Sequence, residues 1–303
     1  MLDDINISQK LLGYKKELNS LIQLFVKKKF PKVLMLTGKR GIGKFTKIIH
    51  FLTYILDRKN YDLSKLTIKN EILQNQIILN LNQNAIIINS KNVNERKIDH
   101  IRIIKERILT STMNNKPRFI IIDDVDLLNT NSLNALLKII EEPNDFNFFI
   151  LINNKSKLLL ETIKSRSIEF KLTLKENFQK DIIKSLIEKK EINVKIDYKN
   201  LDVTPGDFFF FNQICNKFDM DILGDINKNL DLLLERYRST KSEIFINFSK
   251  FLIENYFYAQ TQKDFNKAIH FSELRSNVLH EINNYQQYNL NHKIFIKNLI
   301  MKL

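Results

Sequence analysis

Glycine is scarce in this chain, six in 303 residues, yet three of the six fall within Gly38-Lys39-Arg40-Gly41-Ile42-Gly43-Lys44-Phe45-Thr46. The segment follows the apolar run Val33-Leu34-Met35-Leu36. Glycine there lets successive backbone N–H groups turn inward around a phosphate, and a lysine adds a point charge beside them. The spacing is that of a P-loop, G-x-x-x-x-G-K-[ST], with Phe45 where the magnesium-binding hydroxyl belongs. Gly38, Gly41, Ile42, Gly43, Lys44, Phe45 and Thr46 are therefore the residues expected to hold ATP or ADP. The site reads as able to hold nucleotide and poorly built to hydrolyse it.

A second constellation lies downstream in Ile120-Ile121-Ile122-Asp123-Asp124. An apolar strand of this form delivers Asp123 to the sheet edge, where it can hold Mg²⁺ through water, while the next acid can orient an attacking water. Following a P-loop, it reads as the second half of one nucleotide site; alone, it reads as a strand running into a turn that Asp124 caps. Active ATPases of this type place Glu where Asp124 stands. The shorter side chain moves the base by about one C–C bond, a misplacement that can cost around a hundredfold in rate.

These residues need a scaffold, and the chain alternates short β-branched runs with helical periods. Val33–Thr37, Ala85–Ile88, Phe119–Ile122 and Phe148–Ile152 read as strands. Helices are expected from Lys44 to Leu56, across Ile98–Leu109 and over Ser132–Ile140, the last with Leu133, Leu136, Leu137 and Ile140 at i, i+3, i+4 and i+7. Continuous apolar strands between helices argue a parallel sheet covered on both faces. The prolines Pro31, Pro117, Pro143 and Pro205 all punctuate element boundaries. After Leu172 the pattern becomes helical, beginning with an amphipathic Asn177–Lys190 and continuing through Leu230, Leu233, Leu234, Ile244, Phe248, Phe251 and Leu252. The expected organisation is an α/β P-loop domain over residues 1–172, a small helical domain over 173–218 and an all-helical domain over 219–303.

Composition bounds the function. With 44% hydrophobic and 27% charged residues, the chain is expected to fold into an ordinary globular protein. No run approaches the roughly 18 apolar residues of a membrane span, so no membrane partner is expected. The acidic start Met1-Leu2-Asp3-Asp4-Ile5 lacks a signal-peptide core, which places the expectation in the cytoplasm. Cys215 is the single cysteine, and His50, His100, His270, His280 and His292 lack metal-ligand spacing, so neither a disulfide nor a zinc site is expected. The net charge of +14 fits direct nucleic-acid contact and equally fits a compositional bias toward Lys, Asn and Ile.

Asn131-Ser132-Leu133-Asn134-Ala135-Leu136-Leu137-Lys138-Ile139-Ile140-Glu141-Glu142-Pro143 resembles the N-A-L-L-K-x-x-E-E-P segment of the bacterial clamp-loader family, whose core is an AAA+ domain. Further matches fall in order: Leu12-Gly13-Tyr14 near the start, Ile98-Asp99-His100-Ile101-Arg102 for an I-x-x-D-x-I-R helix, Ser165-Arg166-Ser167 for an S-R-C motif, and Thr204-Pro205-Gly206 for the turn opening the last lid helix. The likeness spans residues 10–212. It implies an AAA+ domain, a helical lid and a helical collar that oligomerises. The implied partners are gamma/tau and delta subunits, the sliding clamp, and primed DNA through the assembled complex.

Within that family the chain looks like the delta-prime branch rather than the gamma/tau motor branch. The motor type carries Ser or Thr at the position of Phe45, Asp-Glu at Asp123-Asp124, and zinc-binding cysteines after the P-loop helix. The lid helix here begins Asp207-Phe208-Phe209-Phe210-Phe211, without the arginine that motor subunits offer their own nucleotide. The resemblance implies that Arg166 is an arginine finger acting in trans on a neighbour's nucleotide. Without that context it reads as a surface loop arginine. Asn153 falls at the sensor position near the γ-phosphate, with Asn154 an almost equal candidate and a plain strand-end asparagine the alternative. Two rival readings are a competent ATPase, with Thr46 supplying the missing hydroxyl, and an unrelated P-loop protein such as a small-molecule kinase.

Overall fold

Residues 8–89, 116–141, 144–288 and 290–303 are described by a computed structural model of the chain. The expected helix across Ile98–Leu109, the Ile98–Arg102 motif and Pro143 lie outside the described residues. Contacts divide the chain into two compact units, one ending at Ile182 and one running Ile183–Leu303.

In the first unit, β1 (Val33–Thr37), β4 (Ala85–Asn89), β5 (Arg118–Asp123), β6 (Asn147–Asn153) and β7 (Ile168–Lys171) form one parallel sheet in the order β4-β5-β6-β1-β7. Two short strands, β2 (Tyr61–Asp62) and β3 (Thr67–Ile68), pair separately as an antiparallel ribbon. The helices are α1 (Lys15–Val26), α2 (Lys44–Leu56), α3 (Ile72–Ile78), α4 (Thr130–Glu141) and α5 (Glu161–Ser165), with α6 (Glu176–Lys190) crossing into the second unit.

The apolar runs are continuous because both sheet faces are covered, and the two-residue period of a strand deals alternate side chains to opposite layers. Leu34, Leu36, Phe119, Ile121, Ile150 and Ile152 pack with Leu18, Ile48 and Phe51 of α1 and α2. Val33, Met35, Ile120, Ile122, Phe149 and Leu151 pack with Leu133, Leu136 and Ile140 of α4 on the other face. The parallel sheet with covered faces is the one the sequence predicts. Strand β7 is not predicted by the run analysis: Ile168-Glu169-Phe170-Lys171 is an edge strand with three of its four residues exposed, so no apolar run marks it.

The second unit is helical: α7 (Pro205–Phe218), α8 (Ile226–Thr240), α9 (Glu243–Lys263), α10 (Ala268–Tyr288) and α11 (His292–Ile300). Thr204 caps α7 by accepting the Asp207 N–H at 3.3 Å and donating its hydroxyl to the Asp207 carboxylate at 2.8 Å, with Pro205 in the first turn. Phe208 and Phe211 are fully buried, and Phe211 stacks on Phe248 with centroids 4.3 Å apart. The phenylalanine run is thus helix packing. Cys215 is buried in the same apolar cluster, which pushes its thiol up to about 12. That one cluster joins α7 with α8 through α11, so the helices expected as lid and those expected as collar share a core.

Candidate functional site

The loop between β1 and α2 carries the glycine spacing, and each of its glycines has a reason in the geometry. Gly41 and Gly43 sit at φ of +75° and +89°, the left-handed region where a side chain is strained. At Gly38 a Cβ would lie 2.4 Å from the Leu172 carbonyl oxygen. The Gly38 N–H donates to the Asn153 carbonyl at 3.2 Å, fastening the loop's start to the end of β6. Ile42 is buried in the layer beneath.

Lys44 opens α2 and is itself buried, 4% exposed. Its ammonium curls back to donate to the carbonyls of Gly38 at 2.7 Å and Lys39 at 2.6 Å. Burial pushes its pKa down to about 8, against the pull of Asp123, Asp124 and Asp126. Phe45, where a hydroxyl is expected of a magnesium site, is half-buried and packs against the apolar cluster of α1 and α2. Thr46 beside it is also half-buried.

Asp123 ends β5. Burial, then the neighbouring Asp124 charge, raise its carboxyl well above the usual carboxylate range, while Arg40 and Lys44 oppose the shift. Its Oδ1 accepts the Asp124 N–H at 3.0 Å. Asp124 follows in a left-handed turn, φ +53°, nearly sealed from solvent. Its Oδ1 accepts the side-chain amide of Asn154 at 2.5 Å. Asp126 completes the join, taking the Asn154 N–H at 3.1 Å and the Ser156 N–H at 2.6 Å on its two oxygens.

The structure therefore brings Gly38–Thr46, Asp123, Asp124 and the Asn153–Asn154 pair together at the carboxyl ends of β1, β5 and β6. The two asparagines face different tasks. Asn153 spends its Oδ1 on the Lys155 N–H at 2.9 Å, bracing the turn, while Asn154 reaches the acidic pair. Arg166 is placed elsewhere, on the turn between α5 and β7. It is half-exposed, donates to the Thr162 carbonyl at 3.2 Å and pairs with Glu141 of α4 at 2.8 Å.

Two residues near the loop escape sequence reasoning. Asp126 looks like one more turn acid, although the Asp-Asp-x-Asp spacing is a signal in hindsight. Lys47, one turn along α2 from Lys44, is wholly buried between the rings of Tyr14 and Phe170, its ammonium 5.4 and 4.7 Å from their centroids. Burial pushes its pKa down to about 7. Nothing in an amphipathic helix pattern marks a lysine as buried.

Comparison with known proteins now bears on this arrangement. The family described as DNA polymerase III, delta subunit, matches residues 13–176, more than half the chain and the whole of the phosphate-loop layer. The chain belongs to that family of clamp-loader proteins. A DNA polymerase III subunit gamma of Buchnera aphidicola (subsp. Schizaphis graminum) is 29% identical over 63% of this chain and 54% of its own length. A DNA polymerase III subunit delta′ of the same organism is 30% identical over 56% of this chain and 55% of its own. This family member thus spans about half the length of the curated relatives it matches. A solved gamma subunit-related protein of Thermotoga maritima covers 94% of the chain and 97% of its own at 17% identity, with a TM-score of 0.45, too loose a likeness to carry inference. Among the described residues, no group of three or more His, Cys, Asp or Glu is placed to hold a metal, and no helix is long and apolar enough to cross a membrane.

Proposed function

We propose that the chain is a delta-prime-type stator of the DNA polymerase III clamp loader: a cytoplasmic subunit that binds nucleotide, hydrolyses it negligibly, and supplies Arg166 to a neighbour's site while the ring places a sliding clamp on primed DNA. The observation that carries the reading is Phe45. A ring packed against the α1 and α2 layer stands where magnesium chemistry needs a hydroxyl, so the phosphate cradle is kept and the metal's anchor is not.

The residues present fit a nucleotide's phosphates. Positive-φ Gly41 and Gly43 and the start of α2 present backbone donors, and Lys44 supplies the charge. Asp123 remains the acid that would face a cation through water. Asp124 is held by Asn154 instead of standing free to activate water, which supports weak hydrolysis. Magnesium, when bound with nucleotide, supplies charge neutralisation at the phosphates.

Arg166 supports the partner half of the proposal because it is half-exposed and absent from its own nucleotide cluster. Its guanidinium stays charged and offers forked donors suited to a phosphoryl group. The proposed assembly joins gamma/tau and delta subunits through a collar formed by residues 219–303, behind a lid formed by 173–218. A gamma-like motor is the alternative that the gamma relative supports.

Purified chain alone separates the two. Calorimetry should show ADP or ATP binding that Lys44→Ala removes, with no steady turnover. Turnover near about 1 s⁻¹, the low end for phosphoryl-transfer enzymes, that disappears in Lys44→Ala would establish the motor and end the stator reading.

A further inference from the structure

A second concave feature lies at the far end of the sheet from the phosphate loop. It forms where the C-terminal ends of α1 and α2 meet the starts of β1 and β6, and it encloses about 550 Å³. The five residues of β1 separate it from Gly38, ~16 Å at the rise of a strand. Phe25, Phe30, Tyr54 and Phe148 wall it, and Lys28, Lys32 and Arg58 stand among its lining.

Cations and rings are interleaved there. The Lys32 ammonium lies 4.7 Å from the Phe148 centroid, and the Arg58 guanidinium lies 5.2 Å from that of Tyr54. Lys27, Lys28 and Lys29 are all exposed, so positive charge continues outward from the opening. Nearby acids do not cancel it: Asp57 accepts from the Asn60 amide at 2.7 Å, and Asp145, itself almost fully exposed, meets Lys32 at 4.0 Å. Lysines beyond α1 also offset that helix's C-terminal dipole, and Phe25 and Phe30 also pack on Phe51. Neither role accounts for cations from two separate segments converging on an open, aromatic-walled cavity.

We propose that this cavity is a single-stranded nucleic-acid subsite, which takes one base against its aromatic walls and the flanking phosphates on Lys28, Lys32 and Arg58. Aromatic faces accept any base, and lysine and arginine beside them neutralise the backbone, which is the pairing single strands require. The volume suits one small ligand and is far too small for a duplex. An acidic peptide carrying one aromatic residue shares part of that chemistry. The exposed Lys27–Lys29 run and the chain's net charge of +14 favour a continuous polyanion over a short acidic cluster. The choice of DNA as that polyanion rests on the proposed clamp-loader role; the recognition chemistry does not.

The test uses the full chain without other subunits, so its failure is distinct from failure of the stator reading. Fluorescence anisotropy with a short labelled oligothymidylate would compare wild type, Lys28→Glu/Arg58→Glu, and the charge-matched Lys175→Glu/Lys184→Glu, all at exposed positions. The first variant should bind about tenfold more weakly at 0.1 M salt and show a salt slope lower by about two, with the control close to wild type. Photocrosslinking with a 5-iodouracil oligonucleotide should map to Phe25, Tyr54 or Phe148. Equal losses in both double variants, crosslinks confined to other segments, or tighter binding of a glutamate-rich peptide bearing one phenylalanine would each overturn the proposal.

Discussion

The side-chain amide of Asn154 donates to the Asp124 carboxylate at 2.5 Å, tying the turn after β5 to the turn after β6. Asp124 is buried in a left-handed turn, so this bond satisfies an acid that has little access to water. Asp126 ties the same two turns through the Asn154 and Ser156 amides. The second acid of the pair therefore serves first as a structural clasp.

Asn154→Ala leaves Asp124 short of its donor and should destabilise the first unit by about 1–3 kcal/mol, the cost of a buried acceptor left unsatisfied. Asp124→Asn keeps an acceptor and should lose less. Thermal melting of the two variants checks the order; an Asn154→Ala protein melting with wild type would show the clasp contributes nothing.

Lys44 sets a pH dependence for nucleotide binding. Its folded pKa lies near 8 instead of 10.5, because burial disfavours the charged form. A bound phosphate favours the ammonium, so binding takes up a proton once Lys44 is neutral. Affinity should be full below pH 8 and fall as the pH rises beyond it. Calorimetry at pH 7 and pH 9 checks this, and Lys44→Ala should remove both the binding and its slope.

His50 sits one face behind the loop on α2, with Nδ1 at 3.1 Å from the Tyr61 hydroxyl and Nε2 at 2.9 Å from the Ser8 carbonyl. Burial pushes its pKa down to about 4 from 6.5, with the Ser8 carbonyl partly opposing. The unfolded chain binds the proton first as pH falls, so this group's stability is present above pH 6.5 and is lost on descent to about 4. The loss is on the order of 3 kcal/mol, at about 1.4 kcal/mol per pH unit. Denaturant melts across pH 4–7 should show a steeper decline in wild type than in His50→Gln, since the difference between the two isolates His50 from the other titrating groups.

Much of the scaffold is legible in sequence because physics writes it locally. Val33–Thr37 and Lys44–Leu56 fall at the boundaries that the apolar run and the glycine cluster predict. A strand buried on both faces must be apolar throughout, so β1, β4, β5 and β6 announce themselves. Strand β7 does not, because an exposed edge tolerates Glu169 and Lys171. The clasp of Asp124 and Asn154 is hidden for a different reason: it depends on β5 and β6 being neighbours, which sheet order decides. The Arg166–Glu141 pair likewise joins segments from two helices whose adjacency no local pattern encodes. Lys47 runs against the pattern, a buried cation that two aromatic rings tolerate.

The most direct test of the account replaces Arg166 with alanine in a ring reconstituted with gamma/tau and delta subunits. The Glu141 pair is half-exposed, so the isolated variant should lose under about 1 kcal/mol of stability. In the ring, the neighbouring site would lose a charge stabiliser of a kind that contributes roughly 10³–10⁵ in rate in other systems. Total ATPase should fall by less, since the other sites keep their own arginines, and clamp loading onto primed DNA should fall further than ATPase. Unchanged ATPase and clamp-loading rates in the Arg166→Ala ring would show that Arg166 is an ordinary surface residue and that the chain supplies no chemistry in trans.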